Sequence, residues 1–269
     1  PGLLNHNGGG FLDGILGRDA HQTFEDYGMK RFGLFGRSLS HSFSKSYFEH
    51  KFKNEGIVDC SYDLFEVEDS GEIMQIADSL GLNGFNVTIP FKEDMRFHLA
   101  NLAPEVEEIG AVNCVKRSKN GQLVGYNTDS FGFWNSIKGS LDLNKVNKAV
   151  VLGSGGASKA ITHALSANNI EPTIVSRSGE LNYNNLHAGH IRESYLIVNC
   201  TPLGTSPRVK EFPDIPYEAL TSAHVAFDVV YNPPESAFLR KCGLSGSKTI
   251  NGLRMLELQA EHSWAIWNS

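Results

Sequence analysis

The chain has 269 residues, of which 41% are hydrophobic and 20% charged, with a formal net charge of −6 at pH 7; that length exceeds what one hydrophobic core usually supports, so two domains are expected. The composition is that of an ordinary globular protein, and the acidic balance leaves no broad basic field, which speaks against nucleic acid as a partner. No apolar run reaches the length of a membrane span and no basic segment precedes an apolar one at the N-terminus, while Cys60, Cys114, Cys200 and Cys242 form no C-x-x-C pair; membrane, zinc knuckle and redox dithiol are set aside, and buried reduced thiols in a cytoplasmic protein are expected instead.

Residues 1–28 are rich in glycine and asparagine and show no period of two or 3.6. They are expected to be a leader or extension outside the core, with Met29 a natural start. Phe32-Gly33-Leu34-Phe35-Gly36 reads as a strand, and Ser44 to Asn54 as a helix with Tyr47, Phe48 and Phe52 at helical spacing. Tyr62 to Val67 has strand character, and Ile73, Ile76, Ala77 and Leu80 mark another helix. Phe85 to Ile89 is a strand stopped by Pro90, which also suits the first position of a following helix, so Lys92 is expected near a helix start.

A second series opens at Lys148, with a strand to Leu152 and a helix carrying Ala160, Ile161, Ala164 and Leu165 on one face. Thr173 to Val175, Tyr195 to Asn199 and Val225 to Val230 follow as strands. Their order predicts a parallel sheet, and their nearly continuous apolar character predicts helices on both faces. Between the first strand and its helix stands Gly153-Ser154-Gly155-Gly156-Ala157-Ser158. Such a turn lets backbone approach a pyrophosphate whose charge meets the N–H groups and dipole of the new helix. The next strand ends in Ser176-Arg177-Ser178, where a classical NAD site carries an acid. The arginine fork and the serine hydroxyls suit a 2′-phosphate, so NADP is expected over NAD, with Glu180 nearby as the opposing consideration. The last helix, Leu253 to Trp267, sets Leu253, Leu256, Ala260, Trp264 and Trp267 on an apolar face and Met255, Gln259 and His262 on a more polar ridge. Read alone, Gln259 is a surface or packing residue.

Several segments in fixed order resemble one family. They are Ser40-His41-Ser42-Phe43-Ser44, Asn86-Val87-Thr88-Ile89-Pro90-Phe91-Lys92, Gly110-Ala111-Val112-Asn113, Asn127-Thr128-Asp129, the glycine turn, Asn199 to Gly204, Asp228 to Pro233 and Gly252 to Ala260. Together they resemble the shikimate dehydrogenases over nearly everything after Met29. The resemblance implies an α/β fold of two domains. One is a substrate-binding domain from residues 29–128 plus 251–269, and the other a doubly wound, Rossmann-like NADP-binding domain from 129–250.

The chemistry implied by the resemblance is reversible reduction of 3-dehydroshikimate to shikimate with NADPH, a step of aromatic amino acid biosynthesis, with a small-molecule substrate, no metal, and a monomer or homodimer. Lys92 and Asp129 are the implied catalytic pair at the C3 oxygen, where arriving hydride leaves negative charge that needs a proton or cation. On residue type alone a solvated helix lysine is the better reading of Lys92, and Asp129, ahead of a helix through Phe131 and Trp134, is equally an N-cap. The resemblance assigns Ser42 and Ser44 to the substrate carboxylate, Asn86, Thr88, Asn113 and Gln259 to its hydroxyls, and Tyr231 to the carboxylate or ring. Gly153, Ser154, Gly155, Gly156, Ala157, Ser176, Arg177, Ser178, Thr201 and Gly252 fall to the cofactor. His41 is expected to be structural. Ser38 and Lys45 replace family prolines, and Ser176-Arg177-Ser178 replaces a common Asn-Arg-Thr, which weakens the expected cofactor preference. A quinate or dual quinate/shikimate dehydrogenase is the nearest alternative, and a catalytically silent ligand-sensing relative is the alternative of another class.

Overall fold

Residues 28–40 and 42–269 are described by a computed structural model, and their strands divide between two sheets. The expectations for the N-terminal extension, Gly28 apart, and for His41 lie outside the described residues. The first sheet is organised on β1 (Lys30–Gly36), buried from Phe32 to Gly36. It pairs in parallel with β2 (Cys60–Glu66) and β3 (Gly84–Val87), and helices α1 (Phe43–Glu55) and α2 (Ser70–Ser79) form the two crossovers. Parallel neighbours require such crossovers, because a tight hairpin joins only antiparallel strands. β4 (Asn101–Leu102) and α3 (Pro104–Ile109) come next, and then the direction reverses. β5 (Cys114–Arg117) runs antiparallel to β3, β6 (Leu123–Tyr126) antiparallel to β5, and β4 parallel to β6, giving the order β2-β1-β3-β5-β6-β4.

α4 (Asp129–Ile137) leads into the second sheet, formed by β7 (Lys148–Leu152), β8 (Glu171–Val175), β9 (Leu196–Asn199), β10 (Val225–Asp228) and β11 (Lys248–Ile250). All neighbours are parallel, in the order β11-β10-β9-β7-β8. Connections include α5 (Gly156–Ala167), α6 (Ala188–Arg192) and α7 (Ala237–Leu244). Apolar clusters cover both faces: Val151 and Val198 meet Ile161 and Phe133 on one side, and Val150 and Ile197 meet Ile191 and Phe238 on the other. The order reverses between β7 and β9, where a doubly wound sheet opens a crevice at the carboxyl ends of its strands.

α8 (Leu253–Trp267) ties the two sheets together. Met255 belongs to the core around Phe133 and Val151, whereas Ala260 and Trp267 belong to the core around Phe32 and Phe48. Trp267 stacks on Phe32 with centroids 4.7 Å apart and donates its indole N–H to the Val115 carbonyl at 2.9 Å. Its buried ridge is Met255, Gln259, Ser263 and Trp267. This corrects the expected apolar face: Leu253 is exposed and Trp264 only half-buried, because the first turn of α8 faces α4, to which Met255 and Gln259 project.

Two local expectations are also corrected. Pro90 opens no helix; residues 89–93 form turns ahead of a single 3-10 turn at Asp94–Phe97. The Lys92 carbonyl accepts from the Val112 N–H at 2.7 Å, so it is tied to the strand connection beside it and not to a helical ladder. Asp129 is not an N-cap: Thr128 holds that position, and Asn127 Oδ1 accepts from the Ser130 N–H at 3.2 Å. All four cysteines are free, Cys114 and Cys242 buried but Cys60 and Cys200 only partly so. Among the described residues no helix is long and apolar enough to cross a membrane.

Candidate active site

Lys92 and Asp129 meet where the sheets adjoin. The Lys92 ammonium donates to Asp129 Oδ2 at 2.6 Å, and the side chains are only 14% and 7% exposed. A carboxylate so enclosed needs every oxygen bonded. Asn113 supplies the other partner, donating from Nδ2 to Asp129 Oδ1 at 2.8 Å. The Asn113 Oδ1 in turn accepts from the Thr128 backbone N–H at 2.6 Å, which locks the amide orientation and with it the face of the carboxylate turned to Lys92. The result is an ammonium held beside a fixed carboxylate, able to present a proton and positive charge to an oxygen in the cleft.

From that pair the polar network runs into the first sheet. The Thr128 hydroxyl lies 3.1 Å from Ser263 Oγ and 3.4 Å from Gln259 Oε1, Asn86 donates to Ser263 Oγ at 2.9 Å, and the Tyr62 hydroxyl donates to Asn86 Oδ1 at 3.0 Å. Burial pushes the Tyr62 phenol far up, with the Ser44 side chain as its opposing hydrogen-bond partner, so Tyr62 remains a donor. Asn86, Asn113, Gln259, Lys92 and Asp129 are therefore one connected set, with Ser44 joined through Tyr62. Tyr62, Thr128 and Ser263 are the members that sequence reasoning misses. The legible signal is Ser263, four residues after Gln259 on one helical face.

The remaining substrate-side candidates line the approach. Ser42 is the N-cap of α1 and accepts from the Ser44 N–H at 3.3 Å. Thr88 follows β3, with its methyl against Gly36. Tyr231 comes from the second sheet's side: its ring meets Phe43 edge-on at 5.8 Å, its hydroxyl is bonded to the Phe43 backbone, and burial raises its pKa.

The glycine turn faces the same place. Gly153 has φ +111°, and a Cβ there would lie 3.3 Å from the Cys200 carbonyl, so the turn closes directly over the end of β9. Gly155 is the N-cap of α5, and an added Cβ there would meet nothing within 4 Å, leaving open space where backbone N–H groups start the helix. Ser154 is exposed and Ala157 half-buried, while Ser158 donates to the Gly153 carbonyl at 2.7 Å and fixes the turn. Gly156 abuts the catalytic candidate itself: its Cβ would stand 2.9 Å from Lys92 Cβ. Thr201 directs both its N–H and hydroxyl to Asn199 Oδ1, at 3.0 and 2.7 Å. Gly252 is obligatory, since a Cβ would fall 2.2 Å from the Val229 carbonyl oxygen. Ser176, Arg177 and Ser178 stand apart at the end of β8, with the first buried and the others exposed; Ser176 and Glu180 border a cavity of about 580 Å³ that also touches His187 and His190. Beneath the crevice Asp228 is fully buried, accepting from Asn199, Val230 and Ser236, and burial lifts its pKa to about 6.

Two α/β lobes, one ending in a glycine-rich turn and the other presenting an ammonium–carboxylate pair to it, define a two-lobed protein of the Rossmann type. A family model described as the shikimate dehydrogenase substrate binding domain matches residues 34–115. A curated shikimate dehydrogenase (NADP(+)) from Caldanaerobacter subterraneus subsp. tengcongensis is 37% identical over 88% of this chain and 91% of its own length. The crystal structure of shikimate dehydrogenase 1 from Peptoclostridium difficile is 35% identical, with a TM-score of 0.79 over 89% of this chain and 92% of that one. A Thermus thermophilus shikimate 5-dehydrogenase in complex with NADP(H) and shikimate is 30% identical, with a TM-score of 0.78 over 89% and 93%. The chain belongs to the shikimate dehydrogenase family.

Proposed function

We propose that this protein is an NADP-dependent shikimate dehydrogenase that reversibly reduces 3-dehydroshikimate to shikimate. The observation that carries the reading is the Lys92–Asp129 contact at 2.6 Å, set against the first residue of the helix that follows the glycine turn. The turn suits a dinucleotide: a positive-φ glycine, an uncapped helix start and open space above Gly155 leave room for a pyrophosphate. When bound, the nicotinamide cofactor supplies or accepts the hydride.

In the direction of reduction Lys92 holds a proton at the C3 oxygen and stabilises the charge that develops there. Asp129 keeps the amine aimed at that oxygen, and Asn113 holds Asp129. In the reverse direction the same amine receives the hydroxyl proton. Asn86, Thr88, Asn113 and Gln259 bond the ring hydroxyls, while Ser42, Ser44 and Tyr231 take the carboxylate. Hydroxyls and amides align a polar ring without burying further charge. Arg177, with Ser176 and Ser178, reads the 2′-phosphate. We assign residues 29–128 with 251–269 to substrate binding and 129–250 to the cofactor, α8 serving as the return element. The four free thiols support a reducing, cytoplasmic setting.

Steady-state assays with shikimate and quinate, each with NADP and NAD, test the reading. The expected outcome is a kcat/KM highest for shikimate with NADP. Preference for quinate would replace the substrate assignment, and absence of turnover with every pair would overturn the enzymatic one.

A further inference from the structure

Resting on the assignment of Lys92 as the catalytic amine, the seam between the lobes points to a second function for the residue beside it. Lys92 lies in an irregular turn, and its backbone is tied to the first lobe through the Val112 N–H at 2.7 Å. The next residue, Glu93, reaches the other way, and its carboxylate pairs with the Lys159 ammonium on α5. Lys159 stands one helical turn after Gly156, the residue that touches Lys92. A second bridge joins the same helix to the first lobe, His163 Nε2 meeting Glu108 Oε2 at 3.1 Å, and Ile109, Ala111 and Ala160 form a small buried cluster between the two.

Both Glu93 and Lys159 are more than a third exposed, and an ion pair in that setting contributes little to stability, typically about 0–1 kcal/mol. Its position matters more. Glu93 and Lys92 are joined by one peptide, so holding Glu93 to α5 limits how far the backbone at Lys92 can move relative to that helix. The helix that opens at the cofactor's pyrophosphate is thereby fastened to the residue next to the proton donor. We propose that Glu93 and Lys159 are a positioning pair that sets the height of Lys92 against the cofactor lobe, so that the two halves of the reaction centre are registered by a contact outside it. Neither residue touches the reacting atoms.

The test uses the full chain and four variants, Glu93→Gln, Lys159→Met, the reciprocal swap Glu93→Lys with Lys159→Glu, and Lys92→Met as reference. Each single variant is expected to lower kcat about tenfold, on the scale expected when a catalytic group is misplaced by a fraction of an ångström, with shikimate KM, NADP Kd and melting temperature nearly unchanged. The swap should recover most of the lost kcat, which a role confined to fold stability would not produce. Unchanged kcat in both singles while Lys92→Met is inactive would overturn the positioning pair alone. Full activity of Lys92→Met would overturn the assignment of the amine and the pair with it. A Lys159→Met variant that loses NADP affinity tenfold without loss of kcat would make Lys159 a phosphate contact and overturn the proposal.

Discussion

Replacing Gly156 by alanine sets one added atom against Lys92 and tests how closely the glycine turn packs on the catalytic candidate. The new Cβ would lie 2.9 Å from Lys92 Cβ, 3.2 Å from Lys92 Cδ and 3.6 Å from Ala111 Cβ. Carbon atoms pack comfortably at about 3.5–4.0 Å, so Lys92 Cβ, and with it the turn that carries the lysine, has to retreat by roughly half an ångström or more. Gly156 is the first residue of α5, where alanine gains less over glycine than the roughly 1 kcal/mol of a helix interior, so propensity does not offset the clash. A Cβ carbon moves only with its own backbone, so relieving the contact displaces the Lys92 turn or the start of α5, and stability should fall by about 1–3 kcal/mol, the usual cost of overpacking. Turnover should fall, because misplacement of a catalytic group by about 1 Å costs on the order of 10²-fold; the expected loss in kcat is about 10- to 100-fold. Steady-state kinetics and a thermal melt on the same preparation measure both. A kcat within about twofold of the parent would refute the reasoning that Gly156 keeps space for Lys92. A melting temperature at or above that of the parent would refute the clash.

Asn113→Ala strips one oxygen of Asp129 and the Thr128 N–H of their buried partner; unfolding in urea should show a loss of about 2–4 kcal/mol together with reduced kcat, and a loss under about 1 kcal/mol would contradict the network. Asp228 is held at about 6 against an ordinary 3.8. A raised acid binds its proton more tightly in the folded chain, so its contribution to stability is full below about pH 4 and is lost as pH climbs through 6, amounting to about 3 kcal/mol. Asp228→Asn removes that titration, and the stability of the variant relative to the parent should rise between pH 4 and 7; a difference independent of pH would contradict the burial argument. Arg177→Ala should raise KM for NADP about tenfold or more and leave NAD nearly untouched, and equal losses for both would remove Arg177 from the 2′-phosphate.

The second sheet is legible in the sequence where its central strands are buried on both faces: Val150-Val151-Leu152 and Leu196-Ile197-Val198 leave no polar side to confuse the period. β5 and β6 are not, since four residues with Lys116 and Arg117 among them give too few turns of any period, and their antiparallel pairing depends on β3. The turn at Lys92 reads as a helix start because Pro90 carries the same signal in both settings; the bond from the Val112 N–H decides between them, and that contact lies twenty residues away. In the site, Lys92, Asp129, Asn86, Asn113 and Gln259 are identifiable by motif, and the structure joins them in one network. Tyr62 and Ser263 stay hidden, being unremarkable in sequence: the first reaches Asn86 through the strand order β2-β1-β3, and the second is brought beside it by the packing of α8 on that sheet.

The proposed chemistry depends on the amine at position 92, and turnover of Lys92→Ala tests that dependence most directly. With shikimate and NADP, kcat should fall by roughly 10²–10⁴-fold, the range of a general acid–base group, while shikimate binding changes far less. Turnover close to that of the parent, with substrate binding intact, would contradict it.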